Sequence, residues 1–181
     1  MNSSTITFIS FGFFDREFLE KISEAVTREF NCTVFTRDAY VDISEYFDPV
    51  RRQYNGDKLL REVDSINFPE STKVIGLFNV DLYIPILTYI FGQAQLGGRT
   101  GIASLYRLNN ERYGIANDDV ILLERFKKEV IHELGHLFGL IHCHTPTCVM
   151  RSSTYVEDID QKEAGFCVKC RAELELIYKK F

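Results

Sequence analysis

Apolar and polar positions along this chain fall into blocks, and the period changes from block to block. Residues 5–14, TITFISFGFF, are almost continuously apolar, as expected of a buried strand. Asp15 can cap a helix. After it, Phe18, Leu19, Ile22, Val26 and Phe30 recur at helical steps until Asn31 ends the pattern. CTVFT, from Cys32, reads as a second strand. Residues 41–55 keep no period and read as loop, with Pro49 and the turn signal Asn55-Gly56. DKLLREVDSI predicts a second helix ending before Pro69, and KVIGLFNVDLY contains a third strand. Two short apolar runs, 91–96 and 102–108, flank Gly97-Gly98 and predict two strands joined by a turn. A long helical pattern starts at Asp118, runs through Val120, Leu123, Phe126, Val130, Leu134 and Leu137, and stops near Gly139. CRAELELIYKKF closes the chain as a last helix. Helices alternate with strands early and cluster late. That order predicts an α/β (α+β) fold, a mixed sheet with helices packed on it.

Composition narrows the setting. A chain of 181 residues, 45% hydrophobic and 26% charged, suits one domain with a real core. No apolar run is long enough to span a bilayer, and the opening residues lack a basic start and a small-residue cleavage site. The expected location is therefore cytoplasmic, with no membrane partner. A net charge of −5 argues against a nucleic-acid partner. Five cysteines are many for a reducing compartment, where clustered thiols bind metal more often than they form disulfides. Cys32 stands apart from the others and reads as a small buried apolar residue.

All four histidines lie within residues 130–150, VIHELGHLFGLIHCHTPTCVM. His132 and His136 are four apart on the predicted long helix, so their rings leave one face a turn apart and can share a zinc ion. Glu133, between them, is placed to act on a water as general base without ligating the metal. A catalytic zinc takes three protein ligands and keeps one position open. Gly139 can end the helix and turn the chain, bringing His142 to the same metal.

HELGHLFGLIH followed by Met150 resembles the metzincin metallopeptidases. The spacing of Cys143, Cys148, Cys167 and Cys170 narrows the resemblance to the archaemetzincins. One residue fewer separates Met150 from Cys167 than in the family pattern, a difference that a loop absorbs. The resemblance implies a single compact metzincin-like domain over residues 1–181. A sheet-and-helix part would end with the active-site helix near residue 140, and a short part over 141–181 would carry the methionine turn. It also implies that Met150 lies under the catalytic zinc as an apolar floor. An extended substrate would lie beside an edge strand, which the sequence places in IFGQAQLGG with Ala94 and Gln95 offering main-chain hydrogen bonds.

The cysteines form a C-x4-C and a C-x2-C pair, the makings of a closed tetrahedral site for a second, structural zinc. His144, inside the first pair, could replace a cysteine but reads rather as an exposed loop residue, and Arg99 and Arg107, which could bind a substrate carboxylate, read rather as solvated charge. The expected function is zinc-dependent peptide hydrolysis on a peptide or protein substrate by a protein expected to be monomeric, with endo- and aminopeptidase modes both open. The alternative is a zinc-stabilised peptide-binding module with weak or no hydrolysis. Glu133 counts against it, because pure binding needs no general base.

Overall fold

The computed structural model describes residues 5–66 and 72–179. The first apolar block is strand β1 (Thr5–Phe11), and helix α1 (Arg16–Phe30) follows. Asp15 caps α1 by accepting from the N–H of Phe18, and Asn31 leaves it in the left-handed conformation, as the sequence suggests. Strand β2 (Thr33–Ala39) then runs parallel to β1. Residues 41–55 carry more structure than their missing period implies, with a 3-10 turn and two short strands, β3 (Phe47–Asp48) and β4 (Gln53–Asn55). Two- and three-residue strands are too short to show a hydrophobic period. Helix α2 (Gly56–Ser65) is capped by Asn55; Pro69 lies outside the described residues.

Strand β5 (Thr72–Phe78) pairs in parallel with β1 on the side away from β2. The short strand β6 (Leu82–Tyr83) joins β3 and β4 in a small second sheet. The glycine-joined pair is the hairpin of β7 (Gly92–Ala94) and β8 (Thr100–Ser104). The second apolar run therefore ends as a strand at Ser104 and continues as a 3-10 turn over Tyr106–Leu108. Helix α3 (Asp119–Leu137) comes next, capped by Asp118. A short helix that the pattern did not show, α4 (Val156–Asp160), precedes the last one, α5 (Val168–Tyr178).

The main sheet has the order β2-β1-β5-β8-β7. All its strands are parallel except β7, which is antiparallel to β8 and forms an edge. Alternation along the strands divides the core in two. Ile6 and Phe8 of β1, with Ile75 and Leu77 of β5, face α1 and α3. Ile9, Phe11, Val74 and Phe78 face Leu59, Leu60 and Val63 of α2, with the Phe11 and Phe78 rings stacked at 4.5 Å. Helix α3 thus lies under the sheet beside β8 and β7, and its C-terminal half is buried from Glu129 to Gly135. Among the described residues no helix is long and apolar enough to cross a membrane.

Arg125 locks α3 to α4 and to the 3-10 turns that precede α3 in the chain. The residue is 7% exposed, and its guanidinium takes both oxygens of Asp160 at 2.7 Å and donates to the Leu108 carbonyl and to Asn110 Oδ1 at 2.8 Å. Arg125→Leu should lower stability by about 2–3 kcal/mol, because two buried acceptors lose their donor while the half-exposed Asp160 regains water. Urea denaturation of the metal-loaded protein measures this; a change under about 0.5 kcal/mol, the usual surface effect, would show that the lock does not matter.

Candidate metal centre

The end of α3 is built to present two imidazoles. Phe138 closes the helix, and Gly139, at φ +95°, takes the left-handed turn that a side chain would strain. The Gly139 N–H donates to the His136 carbonyl and the Leu140 N–H to that of Gly135, which makes a Schellman cap. The reversal brings His142 back over the helix, its ring centroid 5.3 Å from that of His132 and 4.9 Å from that of His136. One ligand nitrogen from each of the three histidines lies within 4.8 Å of the others.

The hydrogen bonds fix the tautomers. His132 Nδ1 is 2.8 Å from the Val149 carbonyl and His136 Nδ1 is 2.8 Å from the Leu140 carbonyl. A carbonyl only accepts, so both Nδ1 atoms carry the proton and both Nε2 atoms carry a lone pair. Those two Nε2 atoms face each other at 3.1 Å. Two opposed lone pairs repel unless a cation lies between them, and nitrogens at about 2.0–2.1 Å from a tetrahedral zinc stand about 3.3 Å apart. The donor set therefore fits zinc. Burial holds His132 well below the ordinary imidazole pKa, with the nearby positive charge of Lys162 acting in the same sense. Burial also lowers His136 and His142. The lowering of all three favours the neutral imidazole that a ligand must be.

Glu133 sits at the cleft, 5% exposed. Burial raises its pKa well above the usual carboxylate value, and the Glu129 carboxyl beside it adds to the rise. Gly92 of the edge strand passes so close that a Cβ there would stand 2.8 Å from Glu133 Cγ. The cleft is roofed by residues 87–94, walled by residues 152–155, and floored by the histidines, Glu129, Glu133 and Lys162. Ala94 lies in this lining and Gln95 does not. The N–H of Gln95 is donated to the Thr100 carbonyl within the hairpin, and its side-chain oxygen accepts from the N–H groups of Arg99 and Thr100. By antiparallel alternation the open edge belongs to Gly92 and Ala94, so Gln95 is replaced by Gly92 as the second main-chain position facing the cleft.

Met150 is fully buried, directly beneath the helix. A Cβ on Gly135 would collide with Met150 Sδ, so only glycine lets the turn approach this closely. Next to it the four cysteines converge. Sγ of Cys143 and Cys167 are 3.7 Å apart, and one Sγ from each of Cys143, Cys148, Cys167 and Cys170 lies within 4.8 Å of the others. A disulfide needs about 2.05 Å, whereas thiolates at about 2.3 Å from a tetrahedral zinc stand about 3.8 Å apart. Burial opposes ionisation of Cys167, but the Cys170 main-chain N–H and the hydroxyl and thiols around the sulfur outweigh it and bring the thiol down to about 6. Cys32 lies apart in the core, its thiol pushed up to about 12 by burial.

Of the remaining polar residues singled out by the sequence, Arg107 grips Asp81 through two hydrogen bonds and covers the Tyr89 ring, and Arg99 donates to the Ile66 carbonyl, so neither is a loose surface charge. His144 is exposed, as expected, and stands outside both ligand groups. Glu129 and Lys162 escaped the sequence reading. Glu129 was signalled by lying one helical turn before Glu133, while nothing local to Lys162 marks it.

This is the site of an HExxH metallopeptidase, set on a helix beneath an edge strand. A model of Peptidase family M54 matches residues 18–176. An archaemetzincin of Pyrococcus abyssi is 45% identical over 130 residues, 71% of this chain and 69% of its own length. An archaemetzincin of Archaeoglobus fulgidus is 33% identical over 156 residues, 86% and 90% of the two chains. The crystal structure of archaemetzincin from Methanopyrus kandleri superimposes with a TM-score of 0.86 at 30% identity, covering 98% of this chain and 96% of that one. The chain belongs to peptidase family M54, the archaemetzincins, and is a zinc metallopeptidase.

Gly135→Ala should cost about 1–3 kcal/mol by overpacking against Met150, read as a fall in melting temperature; an unchanged melting point would show that the turn can yield. The lowered histidine pKa values also set a pH window. Protons compete with metal only as the pH falls through the folded-state pKa, and all three values lie below 6.5. Affinity at the histidine site should therefore be lost with a midpoint below the ordinary imidazole pKa, on the acid side of about pH 6.5. Titration with Co2+, followed by its visible bands, tests this; a midpoint at or above pH 6.5 contradicts it.

Proposed function

We propose that the chain hydrolyses peptide bonds with zinc held by His132, His136 and His142 and with Glu133 as general base. A second zinc, held by Cys143, Cys148, Cys167 and Cys170, is structural. The observation that carries the reading is the pair of Nε2 lone pairs facing each other beside a buried, cleft-facing carboxyl. A zinc ion held by these histidines would supply Lewis acidity toward the scissile carbonyl and toward a bound water. Glu133 takes the proton of that water and delivers it to the departing amine. Met150 packs under the histidines and holds the turn without ligating. The open edge of β7 at Gly92 and Ala94 lets an extended substrate add as a strand beside the reacting centre.

The four-cysteine cluster ties the segment carrying His142 and Met150 to α5, and the whole chain acts as one domain, a monomer working in the cytoplasm. Substrate is a peptide or protein segment able to lie extended in the cleft.

Glu133→Ala should retain two zinc ions per chain by elemental analysis while cleavage of a peptide library falls at least about 100-fold, the lower end of what general-base catalysis contributes. Wild-type protein that binds two ions and cleaves nothing would favour the binding-module reading. A variant that cleaves at the wild-type rate would remove Glu133 from the mechanism.

A further inference from the structure

Lys162 has 4% of its surface exposed and reaches into the cleft. A buried ammonium is tolerated only where hydrogen bonds and counter-charges compensate its lost water. Both are present. Nζ donates to the Arg151 carbonyl at 2.5 Å and to the Val149 carbonyl at 3.3 Å, so it holds the carbonyls of the residues on either side of Met150. Its charge acts on the carboxyls of Glu129 and Glu133 on the cleft floor, and on Asp158 further out. The Val149 carbonyl has a second donor, His132 Nδ1 at 2.8 Å. One oxygen therefore receives a hydrogen bond from the lysine and from the first histidine of the metal site.

The lysine is not needed simply to attach its loop. The Glu163 N–H donates to the Thr147 carbonyl, the Val149 N–H to that of Gly165, and the Lys162 N–H to that of Ile159. The main chain already fastens this segment to the methionine turn. The side chain adds something narrower, a fixed direction for the Val149 carbonyl and, through it, for the His132 ring.

We propose that Lys162 is a positioning residue for the metal centre: by clamping the carbonyls of Val149 and Arg151, its ammonium fixes the acceptor that orients His132. This rests on the histidine site holding metal, as proposed above. Lysine suits the place because its length reaches two carbonyls from outside the turn. Its charge also complements the two carboxyls, which an uncharged donor does not do.

The test uses the full chain with zinc at the cysteines and Co2+ at the histidines, comparing wild type with Lys162→Met and Lys162→Arg. Lys162→Met, folded by circular dichroism, should shift the visible d–d bands of Co2+ and weaken metal binding at the histidine site by about 10- to 100-fold, the usual effect of losing a group that orients a ligand. Lys162→Arg keeps charge and donors and should restore most of both. A folded Lys162→Met with wild-type spectrum and affinity overturns the proposal. So does a change confined to KM with an unaltered spectrum, which would assign the lysine to substrate. If Lys162→Met does not fold, Lys162→Gln takes its place, and a wild-type spectrum there overturns the proposal equally. Wild-type protein that takes up no metal at the histidines would instead sink the reading of the site itself.

Discussion

The lone pairs of His132 and His136 face each other across 3.1 Å, and the structure around them keeps them there. Left free, the rings would turn apart. They do not, because each Nδ1–H is committed to a main-chain carbonyl, that of Val149 for one and that of Leu140 for the other. Each carbonyl depends in turn on a feature of the chain. Leu140 is where it is because Gly139 takes a left-handed conformation that other residues rarely adopt, and Val149 because Gly135 leaves room for Met150. The glycines, the methionine and the histidines thus form one device that holds two repelling nitrogens in place for a cation to bridge.

The cysteine cluster belongs to the same device. His142 and Cys143 are consecutive, with Cα atoms about 3.8 Å apart, and point to different ligand groups. The Cys143 N–H donates to the Met150 carbonyl, and the Cys167 N–H reaches Cys148 Sγ. Metal bound at the cysteines would therefore stiffen the segment carrying the third histidine, where His142, His144 and Thr145 are exposed although Val149 and Met150 are fully buried. The dependence would run mainly one way. The cysteines are gathered by the 143–148 loop and the start of α5, neither of which needs the histidines to be filled.

Much of this was legible in the sequence, and the reason is local. Spacing along a helix fixes which side chains share a face, so His132, Glu133 and His136 are recognisable as a unit from their spacing alone. A glycine three residues after His136 allows one kind of reversal, which located His142. The long elements α1, α2 and α3 showed themselves by period and caps. What escaped lacked period or lay far off in sequence. β3, β4 and α4 are too short to show a repeat, and Gln95 looked like an edge residue because strand alternation depends on a pairing register that its own sequence does not reveal.

Lys162 shows the limit most clearly. It sits in a polar stretch, QKEA, whose composition points to a solvated surface. It is buried because α4 and the residues after it fold back beneath the methionine turn, and only that fold brings the ammonium to the carbonyls of Val149 and Arg151. Glu129 is half visible by comparison: its helical phase puts it beside Glu133, yet carboxylates one turn apart are usually read as solvated charge. The two are intelligible only together. Two adjacent buried carboxyls repel once ionised, and a lysine anchored by main-chain oxygens supplies the opposite charge without having to bond directly to either. An ammonium that paired tightly with Glu133 would occupy the carboxylate that the proposed mechanism assigns to a water. Held back by the methionine turn, the same charge balances the floor of the cleft and leaves the Glu133 carboxyl free for the role proposed for it.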